Sequence, residues 1–242
     1  MPRELTVSGI EAVVLDVGGV LLLPDPAAIR GCLAPFGVSP SDQECASAHY
    51  AGMAVVDELG AADFAAANRA IVRRFGIPEA HLEEASTALG AAYQQPWAPV
   101  AGGCGELRRL RRAGIALAVV SNADGSVEAE LLAHGICAVA GDAAGSDVPD
   151  VAVVVDSWLV GIEKPDPAIF SVALQALDVA PDRCIYVGDS VHFDVNGSTA
   201  AGLRPVHLTA MTGCHGPHAH ARRLGDVVDA VLGENRRSAS SW

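Results

Sequence analysis

VVLDVGGVLLLPD, residues 13–25, places one carboxylate, Asp16, at the end of an apolar run and follows it with two glycines and a second apolar run. A nearly continuous Val/Leu run is the signature of a strand buried on both faces, as in a parallel sheet. Residues 11–16 are one of five such runs; the others are 115–121, 150–156, 183–189 and 203–208. Helical patterns lie between the later ones. ELRRLRRAG (106–114) precedes the second run, SVEAELLAHG (126–135) follows it with Gly135 as its stop, and DPAIFSVALQAL (166–177) opens on Pro167 in the first turn. Alternation of strand and helix predicts a doubly wound, parallel α/β sheet.

The alternation lapses once, between Asp16 and the second run. Residues 40–59, 63–76 and 78–94 read as helices there, with Phe64, Ala67, Ile71, Val72 and Phe75 on one helical face. This predicts an all-helical insertion over 24–97 in a core built from 1–23 and 98–242. The two crossings, around Pro24 and Pro26 and through QPWAPVAGG (95–103), read as linkers. AVAGDAAGSDVPD (138–150) reads as a long loop, and the tail 233–242 as frayed.

Half of the 242 residues are hydrophobic but only 5% are aromatic, so Val, Leu, Ile and Ala must build the core. A formal net charge of −13 argues against nucleic acid or an anionic membrane as partner, since both reward clustered Lys and Arg. The apolar runs are too short to span a bilayer. The opening MPRELTVSGI lacks the apolar stretch of a secretory signal. Six scattered cysteines without a C-x-x-C pair then read as free thiols of a cytoplasmic protein. Oligomeric state is left open.

In open parallel sheets, ligands bind at the carboxyl ends of the strands. Asp16, Ser121 with Asn122, and Asp189 end three of the runs, and Lys164 follows the fourth. Neighbouring carboxylates ionise together at high cost unless a cation lies between them. Carboxylate oxygens of this kind suit Mg²⁺ in company with a substrate phosphate. The set describes metal-assisted phosphoryl transfer. Asn122 serves the turn, the phosphate or both. Asp194 is also placed to cap a helix after it, and Asp156 to cap a strand or turn.

Four segments resemble, in order, the motifs of the haloacid dehalogenase superfamily of hydrolases and phosphatases: VVLDVGGVL (13–21), LAVVSN (117–122), GIEKPDPAIF (161–170) and VGDSVHFDVNGSTAAG (187–202). The resemblance spans residues 11–208 and implies Asp16 as nucleophile and Lys164 as the catalytic cation. Ser121, Asn122, Lys164 and Gly19 become the phosphate contacts. Mg²⁺ is assigned to Asp16, the Gly18 carbonyl, Asp189 and Asp194. The helical insertion is similar to the family's small cap, which selects substrates. The implied activity is hydrolysis of a small phosphorylated metabolite through an aspartyl phosphate on Asp16.

The family pattern has a second aspartate two residues after the nucleophile, acting as general acid and then base. Gly18 stands there. The departure leaves the metal site intact and removes the proton shuttle, which favours acyl, aryl or anomeric phosphates as substrates. His192, between Asp189 and Asp194, is the nearest replacement shuttle, although it reads more simply as a loop histidine. Two alternatives remain: dehalogenation of a 2-haloacid, which the intact acid pair disfavours, and a catalytically weak phosphate-binding protein. Cys214, His215, His218 and His220 could ligate a soft metal, but their spacing fits no closed zinc pattern and the segment reads as a solvated loop. GGCGEL (102–107) follows a linker rather than a strand and carries no cofactor motif.

Overall fold

The computed structural model describes residues 9–140, 148–209, 214 and 216–233. The elements run β1 (Ala12–Leu15), β2 (Leu22–Pro24), α1 (Pro26–Leu33), α2 (Asp42–Leu59), α3 (Phe64–Arg74), α4 (Leu82–Ala92), β3 (Trp97–Pro99), α5 (Gly103–Arg112) and β4 (Ala116–Ser121). They continue with α6 (Val127–Ala133), β5 (Ala138–Val139), β6 (Asp150–Val151), β7 (Val154–Asp156), α7 (Ser157–Val160), α8 (Pro167–Leu177) and β8 (Cys184–Gly188). The last are α9 (Asn196–Ala200), β9 (Arg204–Leu208), β10 (Ala219–Ala221) and α10 (Leu224–Leu232). Among the described residues, one compact unit holds 9–21, 101–140, 148–209 and 216–233, and a second holds 22–100 and 214.

The first unit is built on a six-stranded sheet in the order β10-β9-β8-β1-β4-β7, parallel throughout. The chain leaves β1 for β4 and β7 on one side, then returns for β8, β9 and β10 on the other. The order therefore reverses at β1, and a crevice opens at its carboxyl end. β1 is buried on both faces, as the run of Val and Leu predicts; Ala12, Val13, Val14 and Leu15 are all 0% exposed. On one face Ala12, Val14, Ala118, Val120 and Val155 pack with Ile169, Phe170 and Ala173 of α8 and with Tyr186. Each such Val, Ile or Phe contributes about 1.5–3 kcal/mol by burial. α8 starts as its sequence requires, with Asp166 accepting from Ala168 N at 2.9 Å and Pro167 in the first turn.

The second unit has a core of its own, with Ile29 and Leu33 of α1, Cys45 and Ala48 of α2, Ile71 and Val72 of α3, and Leu82, Ala85 and Leu89 of α4. A capping box starts α2: Ser41 Oγ accepts from Glu44 N, and Glu44 accepts from Ser41 N at 2.7 Å. Ala67, Ile71 and Val72 lie on the predicted buried face of α3, but Phe64 is exposed. It is the first residue of the helix, one turn short of the packed stripe.

Several sequence expectations change. The segments around Pro24 and Pro99 are paired strands rather than linkers, since β2 and β3 form an antiparallel ribbon with Leu23 opposite Ala98. Proline is tolerated because such a ribbon is all edge. The strand expected over 150–156 is two strands. Ala152 N still donates to Leu117 O at 2.7 Å beside β4, but β6 turns away to pair with β5. The stretch 138–150 therefore begins and ends in strand; 141–147 lies outside the described residues, as does the tail 234–242. β1, β4, β8 and β9 fall where the sequence places them, and Gly135 follows α6 with φ +65°.

Candidate active site

Asp16 follows β1 directly, and its backbone N donates to Val187 O of β8 at 2.8 Å. Its side chain is nearly fully buried at the sheet's reversal point. Oδ1 accepts from Val17 N at 2.7 Å and pairs with Lys164 Nζ at 2.9 Å. Oδ2 accepts no hydrogen bond from the described residues.

Lys164 is held from both ends. Its Nζ contacts Asp194 Oδ1 at 2.7 Å and donates to Tyr186 Oη at 3.1 Å. Its backbone is clamped by Asn122, whose Oδ1 accepts from Lys164 N at 2.8 Å while Nδ2 donates to Lys164 O at 3.0 Å. The side-chain amide of Asn122 therefore fixes the Lys164 backbone from both sides. Ser121, the last residue of β4, is buried and in register with Asp156. Asp156 caps as expected, accepting from Trp158 N at 3.0 Å and Gly125 N at 2.9 Å.

Asp189 follows β8, with Asp194 in the single π-turn after it. Oxygens of Asp16, Asp189 and Asp194 lie within 4.8 Å of one another, all buried. Asp194 does not cap the helix after it; Ser190 opens that turn, accepting from Phe193 N at 3.1 Å. Asp194 Oδ2 instead accepts from Ser190 N at 3.0 Å, and Oδ1 takes both Lys164 and Tyr186. With both oxygens engaged, Asp194 is primarily the anchor of Lys164. His192 meets Phe193 edge-on, with ring centroids 4.7 Å apart.

Two glycines make the approach possible. A Cβ on Gly19 would lie 2.0 Å from Asp189 Oδ2, and φ there is +68°. A Cβ on Gly188 would lie 2.3 Å from Asp194 Cγ. Gly19 therefore seats Asp189 by having no side chain. Gly19→Ala should push Asp189 aside and lower turnover by about 100-fold, the cost of misplacing a reacting constellation by about an ångström. Steady-state kinetics with a melting curve checks this; a folded variant with unchanged kcat would contradict it.

Sequence reasoning missed Tyr186. Its hydroxyl joins Lys164, Asp194 Oδ1 at 3.0 Å and Val120 O at 3.2 Å, while its ring meets Phe170 edge-on. The available signal was a phenol in a strand buried on both faces, since a buried Tyr hydroxyl needs a partner. His207 was missed as well. It is buried near the end of β9, with Nε2 3.1 Å from Asp189 O.

Three buried carboxylates face one ammonium. Burial raises the Asp16 carboxyl to about 7, against the pull of Lys164 and with the help of Asp194 and Asp189. For Lys164, burial disfavours the charged form, but Asp16 and Asp194 outweigh it and hold the ammonium above its ordinary value. The cluster lacks positive charge, and its donors are hard oxygens. It fits a divalent cation of the Mg²⁺ kind.

The Asp16 shift has a testable sign. A carboxyl whose folded value lies above its unfolded value of about 3.9 stabilises the fold at low pH and loses that contribution as pH rises through about 7. A cation at the cluster competes with that proton. Mg²⁺ should therefore raise the melting temperature more at pH 8 than at pH 5, and Asp16→Asn should remove the difference. Equal shifts at both pH values would contradict it.

A family model described as haloacid dehalogenase-like hydrolase matches residues 10–202. Among curated proteins, the chain is 34% identical over 129 residues to a phosphoserine phosphatase of Thermus thermophilus, covering 53% of this chain and 48% of the relative. It is 34% identical over 134 residues to haloacid dehalogenase-like hydrolase domain-containing protein 3 of Mus musculus, covering 54% and 49%. A shorter stretch of 55 residues, 23% of this chain and 24% of the relative, is 42% identical to a glyceraldehyde 3-phosphate phosphatase of Methanopyrus kandleri. The chain spans about half the length of the first two relatives. Among solved structures, a HAD phosphatase from Thermococcus onnurineus superposes with TM-score 0.54 at 22% identity, over 93% of this chain and 98% of that one. A HAD-superfamily hydrolase from Ehrlichia chaffeensis gives 0.57 at 16% identity, over 94% and 98%. These two carry the fold. Among the described residues, no helix is long and apolar enough to cross a membrane. The match over residues 10–202 takes in β1, β4 and β8, whose ends bring Asp16, Ser121 and Asp189 to the crevice, and the chain belongs to the haloacid dehalogenase-like hydrolases.

Proposed function

We propose that this protein is a Mg²⁺-dependent phosphatase that transfers the phosphoryl group of a small phosphorylated metabolite to Asp16 and then to water. The observation that carries this reading is the buried Asp16–Lys164–Asp194 chain beside Asp189 at the sheet's reversal point. The relatives named as phosphatases support the reaction class.

Asp16 Oδ1 is fixed by Val17 N and Lys164, so Oδ2 is the oxygen that attacks phosphorus. The new bond is Oδ2–P, and the bond broken is the ester P–O, whose electron pair leaves with the alcohol oxygen. Lys164 and Ser121 hold the non-bridging oxygens of the phosphoryl group. Asp16, the Gly18 carbonyl and Asp189, with Asp194 behind them, would hold Mg²⁺, which when bound offsets the charge of the transferring group. Water then attacks the aspartyl phosphate and restores the Asp16 carboxylate with release of phosphate.

No carboxyl stands at position 18 to protonate the departing oxygen or to activate that water. The enzyme therefore favours leaving groups stable as anions: acyl, aryl or anomeric sugar phosphates. The helical unit over 22–100 serves as the cap that selects among them. The setting is the cytoplasm. A phosphatase screen over metabolites with and without Mg²⁺, repeated on Asp16→Asn, tests the proposal. Phosphate release that needs both Mg²⁺ and Asp16 is expected. Chloride release from a 2-haloacid without Mg²⁺, and no phosphate release, would replace it with dehalogenation.

A further inference from the structure

The histidine-rich stretch before α10 has no part in the chemistry above. His215 lies outside the described residues, and Cys214 belongs to the other unit. His218 and His220, however, stand in the sheet-bearing unit, and the expected solvated loop is in part a strand. β10 pairs with β9 in parallel, with His220 in register with His207, and Thr209 N donates to Ala221 O at 2.9 Å. In-register partners of a parallel pair point to the same face. His207 and His220 are thus neighbours, with ring centroids 5.6 Å apart. His218 completes the group at 5.4 Å from His207 and 4.5 Å from His220.

We propose that His207, His218 and His220 form a transition-metal site of the zinc class, separate from the carboxylate cluster. One ring nitrogen from each lies within 4.8 Å of those of the others. The tautomer of His207 is fixed by its surroundings. Nε2 faces the carbonyl oxygen of Asp189 at 3.1 Å and must carry the proton to donate there. Nδ1 is then the lone-pair nitrogen. It is buried and has no hydrogen-bond partner among the described residues. A metal-bound histidine commonly donates its other N–H to a backbone carbonyl in this way. Gly216 leaves room for the group, since a Cβ there would lie 2.4 Å from His218 Cε1.

Imidazole donors suit Zn²⁺, Co²⁺, Ni²⁺ or Cu²⁺ and not the hard Mg²⁺ of the other site. Three histidines leave a fourth position for water or another ligand. A metal here would tie the edge strand β10 to β9. Through His207 it would also brace the backbone of Asp189, linking the sheet's edge to the active-site crevice.

The test uses the full chain, stripped with chelator and returned to saturating Mg²⁺ so that the carboxylate cluster is occupied. Titration with ZnCl₂ by calorimetry should show one tight equivalent and a higher melting temperature. His218→Ala and His220→Ala should each weaken that binding beyond the roughly 10–100-fold that loss of an outer partner costs, while Asp189→Asn should retain it. X-ray absorption of the wild-type protein with one equivalent of Zn²⁺ should show imidazole nitrogen around the metal, a result independent of how the variants fold. No zinc binding, equal binding by the histidine variants, or an oxygen-only shell would each overturn the site. None of these readouts depends on phosphatase activity, so failure here leaves the proposal for Asp16 standing.

Discussion

Gly18→Asp is expected to raise turnover of a simple alkyl phosphate by about 10²–10⁴-fold, the usual contribution of a positioned general acid–base. The argument is local. Gly19 has a positive φ and no room for a Cβ, whereas Gly18 does not have a positive φ and is only half-buried. An L side chain at 18 is therefore compatible with the backbone, and its carboxyl would stand two residues beyond Asp16. The gain should be large for alkyl leaving groups, which need a proton, and small for aryl ones, which do not. The ratio of the two rates, in one preparation with Mg²⁺, is the clearest readout. A folded Gly18→Asp protein with an unchanged ratio would mean that another group already delivers the proton, and His192 would be the first to replace.

Lys164→Met should lower both stability and rate strongly. The ammonium is the only cation in contact with Asp16 and Asp194 among the described residues, and all three side chains are nearly fully buried. Removing one partner of a buried pair leaves an uncompensated charge and costs about 3–5 kcal/mol. The rate should fall by about 10²–10³-fold, what loss of a transition-state charge contact costs. Lys164→Met combined with Asp194→Asn removes both charges and should recover part of the stability without recovering the rate. Denaturant melts of the single and double variants measure this. A single variant as stable as the wild type would contradict the assignment of Lys164 as the hub of the site.

Much of the site was legible because each residue sits at the end of an apolar run. Asp16, Ser121 and Asp189 are strand-end residues, and a parallel sheet brings such ends together whatever the rest of the chain does. Position along a strand says less about which partner a polar group takes. Asn122 stands at a strand end, and nothing in its position reveals that its amide holds the Lys164 backbone across 42 residues. Tyr186 was read as part of a buried strand, and its hydroxyl is at the centre of the charge network. Short pairings between distant segments were the least visible. β2 with β3 and β9 with β10 each pair three residues on either side, below the length at which alternation or composition speaks. The histidine cluster depends on the second of those pairings, which is why the spacing of Cys214, His215, His218 and His220 alone did not reveal it.

The central claim is that Asp16 takes the phosphoryl group. Rapid quench of the enzyme with Mg²⁺ and an aryl phosphate labelled at phosphorus, followed by mapping of the label, tests it directly. The predicted result is a burst of about one labelled phosphoryl group per chain, on the peptide carrying Asp16 and absent from Asp16→Asn. Turnover with the label passing straight to inorganic phosphate, undiminished in Asp16→Asn, would contradict it.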